Sequence, residues 1–366
     1  MAVTNITRVQ GLLLGLSANK QPANNTISTT LSRWKKLDMK VPYMLYHTEN
    51  DAAEIGKGNE FAENVYQTYV EPAPMTLEKY GSAEFTMWGW AYALGNVAIT
   101  GTGPTWNYVI QPMDPATSLE LPYFSVVSQL PSNVTTALPA PNVSGFAVAL
   151  AQLGCGLESV ETTLKYGPGR ASVMTNVEYV GLGYNTVPYI TALGNLLNEN
   201  YMFSSSLQMT LTNGATVINY VSEKAILSAR IGWKNNFILP MRYLPGSGFD
   251  SNGFQVGDRL LYGVREPSLS FTVFLDPNSA EYAGLVNQTT WAVAITLNAG
   301  SGSTYNVTWT FTTANYAMVQ TEQENGFIAV TCTMLPLFGS TAIPASGGLT
   351  NFVTVSGACG LNHIAQ

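Results

Sequence analysis

Alternation of apolar and polar residues with a period of two recurs along this chain, and it limits the available folds more than any other feature. Residues 171–180 set Val173, Thr175, Val177 and Tyr179 on one side of an extended segment, with Ser172, Asn176 and Glu178 on the other. Successive side chains of a strand point to opposite faces, so such a run predicts a half-buried β-strand. Leu269, Phe271, Val273 and Leu275 alternate in the same way with Ser268, Ser270, Thr272 and Phe274. The strongest hairpin pattern is the run 207–212, the dipeptide Asn213-Gly214 and the return 215–220. Asn-Gly between alternating runs predicts a type I′ turn, whose twist matches that of the strands. Further strands are expected at 106–110, 122–129, 157–164, 225–233, 291–297, 305–313 and 327–335.

Helical spacing is confined to two places. After Pro72 and Pro74, with Thr76 as a cap, Phe85, Trp88, Gly89 and Tyr92 fall at i, i+3, i+4 and i+7, and Gly95 stands where a helix stops. These aromatics read as the stripe that seats a helix on a sheet rather than as a ligand box. A short helix is expected at 279–287. Each half thus runs strand, short helix, then several antiparallel strands. The expected fold is mainly β: two tandem antiparallel β-barrel or sandwich domains, each with a short flanking helix, plus extended terminal arms. The boundaries read from the pattern are an N-terminal arm at 1–36, a first β domain at 37–205, a second at 206–338 and a C-terminal tail at 339–366.

Charged residues make up 11% of the 366 residues, against roughly 25% in a typical soluble domain. A surface this poor in charge suggests that neighbours cover much of it. The first forty residues hold Arg8, Lys20, Arg33, Lys35, Lys36 and Lys40 against Asp38, a net +5 that leaves −12 of the total −7 for the remainder. A basic arm on an acidic body suits head-to-tail contact between copies, whereas an acidic body repels nucleic-acid phosphate. Three widely spaced cysteines, Cys155, Cys332 and Cys359, form neither a disulfide framework nor a zinc pattern. The apolar run at 12–16 is short, broken by Gly15 and not preceded by a basic stretch, so no cleaved signal is expected. No run approaches the ~18 apolar residues of a spanning helix.

Few residues invite chemistry. A Ser-His-Asp site would need His47 or His363 as its base; His47 has Glu49 and Asp51 nearby, and His363 lies in a Gly-rich stretch. Cys359 and His363 are four apart, but Gly357 and Gly360 argue against the helix that would pair them. Gly181-Leu182-Gly183 lacks the third glycine of a dinucleotide loop, and Asp250-Ser251-Asn252-Gly253 lacks the closing carboxylate of a calcium loop. Glu158 and Glu161 form a carboxylate pair in spacing alone. The expectation is no catalytic, cofactor-binding or metal residue, no cofactor, and no enzyme.

The order of elements resembles that of the two-domain major tail tube proteins of long-tailed bacteriophages, over roughly 37–340. The features are a helix ending in Ala93-Leu94-Gly95, then a Gly/Thr turn and a strand at 107–111. A strand through Gly154-Cys155-Gly156-Leu157-Glu158-Ser159-Val160 follows, then a Gly-containing turn and a strand closing on Val180-Gly181. The segment 222–233 with Asn235-Asn236 resembles the strand that opens the family's second domain. The chain departs from the pattern in its longer terminal segments. The resemblance implies a structural virion protein assembled in the bacterial cytoplasm. It implies copies in rings, trimeric with pseudo-sixfold symmetry, stacked into a tube. Other tail proteins would sit at the tube ends, and genome DNA would pass through transiently, with no membrane involved. The runner-up is an outer-membrane β-barrel; a secreted β-rich hydrolase comes third, and another viral structural protein, of capsid or decoration type, fourth. An acidic, Tyr-rich, alternating chain also suits a membrane barrel.

Overall fold

The computed structural model describes residues 13–17, 19–22, 31–34, 44–50, 65–72, 74–129, 149–167, 169, 172–187, 197–220, 226–239, 257–274, 280–299, 304–324, 326–337, 352–362 and 364–366. One hydrogen-bonded network of 17 strands runs through them, and a separate two-stranded ribbon joins β3 (Met44–Asn50) to β4 (Val65–Pro72). All pairings in the network are antiparallel.

The network separates into two layers and a side sheet. The first layer is built from β5 (Met75–Tyr80), β10 (Val173–Val180), the C-terminal part of β9 (Ala149–Lys165) and β14 (Ile226–Lys234). It continues through β15 (Glu266–Phe274) and β18 (Phe327–Pro336) to the C-terminal part of β17 (Asn306–Glu324), each strand paired with the next. The second layer runs β6 (Gly95–Thr102), β7 (Thr105–Pro112), β19 (Val353–Cys359), the N-terminal part of β17, β16 (Thr290–Asn298), β12 (Gln208–Asn213) and β13 (Thr216–Asn219). The side sheet joins β2 (Leu31–Arg33), β1 (Leu13–Ser17), β8 (Phe124–Gln129), the N-terminal part of β9 and β11 (Gly183–Val187). Two long strands, β9 and β17, therefore belong to two sheets each.

Helix α1 (Ala83–Leu94) lies between the layers, against β9 and β10 on one side and β7, β19 and β17 on the other. Ser82 caps it: its Oγ accepts the Phe85 N–H at 3.2 Å, while Gly95 ends it in the left-handed conformation at φ 88°. Thr76 is not the cap, because 75–80 alternates as strand β5 with Met75, Leu77 and Lys79 inward. All twelve helical residues are buried, so the aromatic stripe is one side of a helix enclosed all round. Trp90 meets Trp309 of β17 edge to face, and Trp88 meets Phe124 of β8. Gly89 allows the helix its close approach to the first layer: a Cβ there would stand 3.1 and 3.2 Å from Val177 and Val160.

The expectation of two tandem barrel or sandwich domains, each with a flanking helix, is overturned. The sheet is not closed into a barrel, and its ladders cross between the halves. β9 pairs with β14, and β19 fills the space between β7 and β17. Residues 353–359, expected within a tail, form a strand whose Val353, Val355 and Cys359 are buried. Residues 13–17 and 31–34, expected within an arm, supply two strands and the buried Leu16, Leu31 and Trp34. The physical reason is that alternation reports a strand's two faces and says nothing of its two edges, where pairing is decided. The shared order of elements does hold: β5, α1 and the β6–β7 hairpin match β15, helix α2 (Ala280–Val286) and the β16–β17 hairpin. Only α2 flanks a sheet, against β17.

Candidate functional site

The residues with chemical potential are scattered. His47 sits on β3 opposite Tyr69 of β4. His363 and the segment 250–253 lie outside the described residues. The Cys359 thiol is buried 3.7 Å from the Leu361 carbonyl, and burial pushes its pKa, like that of Cys155, far up. Such thiols are packing groups rather than nucleophiles. Glu158 and Glu161 have different partners. Glu158 accepts the Phe237 N–H at 2.9 Å, and burial raises its carboxyl pKa; Glu161 pairs with Arg230 on the outer face. Gly181 and Gly183 stand in a strand–turn–strand, without the helix that would present amides to a phosphate. Among the described residues no group of three or more His, Cys, Asp or Glu side chains is placed to hold a metal ion, and no helix is long and apolar enough to cross a membrane.

Two buried polar clusters have no sequence signal. At the N-terminus of α1, Lys79 and Glu199 form an ion pair at 2.8 Å with both side chains at 0% exposure. Ser82 Oγ donates to the same carboxylate at 2.9 Å. Glu84 accepts the Asn200 N–H at 2.8 Å and its side-chain amide at 2.6 Å, and also the Gly360 N–H at 3.1 Å. Carboxylates at a helix N-terminus are favoured by the helix dipole, and here they fasten two distant segments to it, 199–200 and Gly360. Deeper in, the Tyr220 hydroxyl donates to Glu281 at 2.9 Å and lies 3.2 Å from the Tyr316 hydroxyl; burial holds the Tyr220 phenol protonated. A mostly apolar cavity of about 450 Å³ beside Tyr220 is lined by Leu164, Tyr166, Leu207 and Ile226, with Lys165 at its wall.

The broadest organised features are the outer faces of the two layers. On the first, the register aligns Glu78 with Asn176 and Glu161, Glu178 with Ser159 and Lys234, and Ser270 with Arg230 and Thr333. Glu78, Glu161, Glu178, Glu266 and Glu322 stand there against Lys165, Arg230 and Lys234, among Ser and Thr. On the second, one row runs Asn96, Gln111, Thr354, Thr310, Ala294, Thr210 and Asn219 across every strand. The neighbouring row runs Ala98, Val109, Ser356, Thr308, Thr296 and Gln208. Neither row contains a charged side chain. Thr308 and Thr296 hydrogen-bond to each other at 2.9 Å, and Gln111 to Thr354 at 3.4 Å. The separate runs of Thr, Ala and Asn are visible in the sequence, but their assembly into one face depends on the insertion of β19.

No family model matches the chain, and no curated protein is similar to it in sequence.

Proposed function

We propose that this chain is a structural virion subunit of the tail tube of a long-tailed bacteriophage, assembling with itself into stacked rings through which genome DNA leaves. The observation that carries the reading is the first layer. Its outer face is broad, polar and net acidic, and among the described residues its end strands, β5 and the C-terminal part of β17, each pair on one side alone within it. Open strand edges are templates for pairing with another chain, and head-to-tail contacts close into rings or propagate as filaments. A weakly acidic face lets DNA slide, because it offers little positive charge to displace the counterions condensed on the phosphates. The low charge of the whole chain and its order of elements agree with this role.

The test is electron microscopy of the purified full-length protein, with sedimentation across a concentration series. Tubes of stacked rings are expected. Closed shells would point instead to a capsid or decoration protein. Solubility only in detergent would point to an outer-membrane barrel.

A further inference from the structure

We propose that the outer face of the second layer is a contact surface for a second copy of this chain, which meets it with the same face. The inference rests on the reading of the protein as self-assembling and names a surface that reading leaves open. The first layer's outer face carries charges of both signs, whereas the second presents Thr, Ala, Asn, Ser, Gln and Val across all its strands. Its side chains are half-buried by their neighbours or exposed, with Val109 at 45% and Val217 at 55%.

Charge selects the occupant. Covering a face without ions leaves none desolvated only if the covering surface is also without ions; an unpaired charge set against it would lose its hydration with nothing in return. Of the two layer faces described, only the second-layer face itself meets that condition. Self-complementarity makes the contact two-fold. Size agrees: at a strand spacing of about 4.8 Å and a rise of about 3.3 Å, seven strands roughly six residues long offer about 600 Å². Two such faces bury about 1,200 Å², the lower bound for a stable specific interface. Small side chains such as Ala294, Thr308 and Thr310 permit close sheet-to-sheet approach. A two-fold contact closes at two copies, so growth into a tube runs through the edges of the first layer.

The test uses the full chain and sedimentation velocity at micromolar concentration. Ala294→Lys, which places two like charges in the paired faces, is expected to weaken association at least tenfold. Ser270→Lys on the first layer's outer face is expected to leave pairing unchanged. Should Ala294→Lys fail to fold, Thr310→Lys in the same row decides: it is expected to weaken association by the same factor, and Thr333→Lys on the first layer's outer face to leave it unchanged. Wild-type association with an equally associating Ala294→Lys or, where that variant does not fold, an equally associating Thr310→Lys overturns the face and leaves the self-assembly reading intact. A wild-type chain that stays monomeric at every concentration overturns both.

Discussion

At the scale of single residues, the turn at Gly214 shows how narrowly local rules can miss. Asn213 pairs with Thr216, so the two loop residues are Gly214 and Ala215 rather than Asn213 and Gly214. Only Gly214 has positive φ, at 57°, the pattern of a II′ turn rather than I′. A Cβ at Gly214 would meet nothing within 4 Å, so substitution there costs backbone strain alone. Gly214→Val is expected to destabilise by about 1–3 kcal/mol, and Gly214→Asn by less, because Asn adopts a positive φ more readily than a β-branched residue. Urea melts of the two variants check this; equal midpoints would show that φ is not the cause. The Lys79–Glu199 pair is a second residue-scale case. Lys79→Met strands a buried carboxylate and is expected to cost about 3–5 kcal/mol, while Lys79→Met with Glu199→Leu recovers much of the loss. If the double variant is no more stable than the single one, the cost lies in packing around Lys79 and not in the orphaned charge.

At the scale of elements, β19 and α1 decide the architecture. β19 completes the second layer by pairing with β17 on one edge and β7 on the other. The residues after it are anchored as well: the Tyr108 hydroxyl donates to the Leu361 carbonyl at 2.6 Å, and Ile364 is fully buried. Removing residues 352–366 therefore opens two ladders and exposes the face of α1 that they cover. The truncated chain is expected to lose its cooperative thermal transition and to enter inclusion bodies. A soluble truncation with a wild-type melt would show the segment to be a dispensable tail. α1 carries Trp88, Trp90, Phe85 and Tyr92 on different sides, and the two layers together supply the apolar surroundings that these side chains require.

At the scale of the whole molecule, charge is partitioned by layer. The first layer's outer face holds five carboxylates and three cations, named above, and the second layer's rows hold none. Weak net acidity on the only charged layer face should leave little attraction for phosphate. Duplex DNA at low salt, where electrostatic binding is strongest, is expected to show no micromolar affinity for monomeric or assembled protein. Micromolar binding with a steep salt dependence would contradict a conduit and point to a nucleic-acid-binding protein.

By itself the sequence determined the local elements: the strands at 173–180, 226–234, 266–274 and 290–298, the end of α1 at Gly95, and the strand–helix–hairpin order shared by the two halves. Each follows from nearest-neighbour sterics and from a period that sorts side chains between two faces. The tertiary structure alone decided which strands pair, that β9 and β17 each serve two sheets, that α1 is enclosed rather than flanking, and that 353–359 is a central strand. It also brought Lys79 to Glu199 and joined separate Thr and Ala runs into one uncharged face. Backbone edges carry the same N–H and C=O groups in every residue but proline, so pairing between distant strands leaves no mark in the letters until packing selects one arrangement.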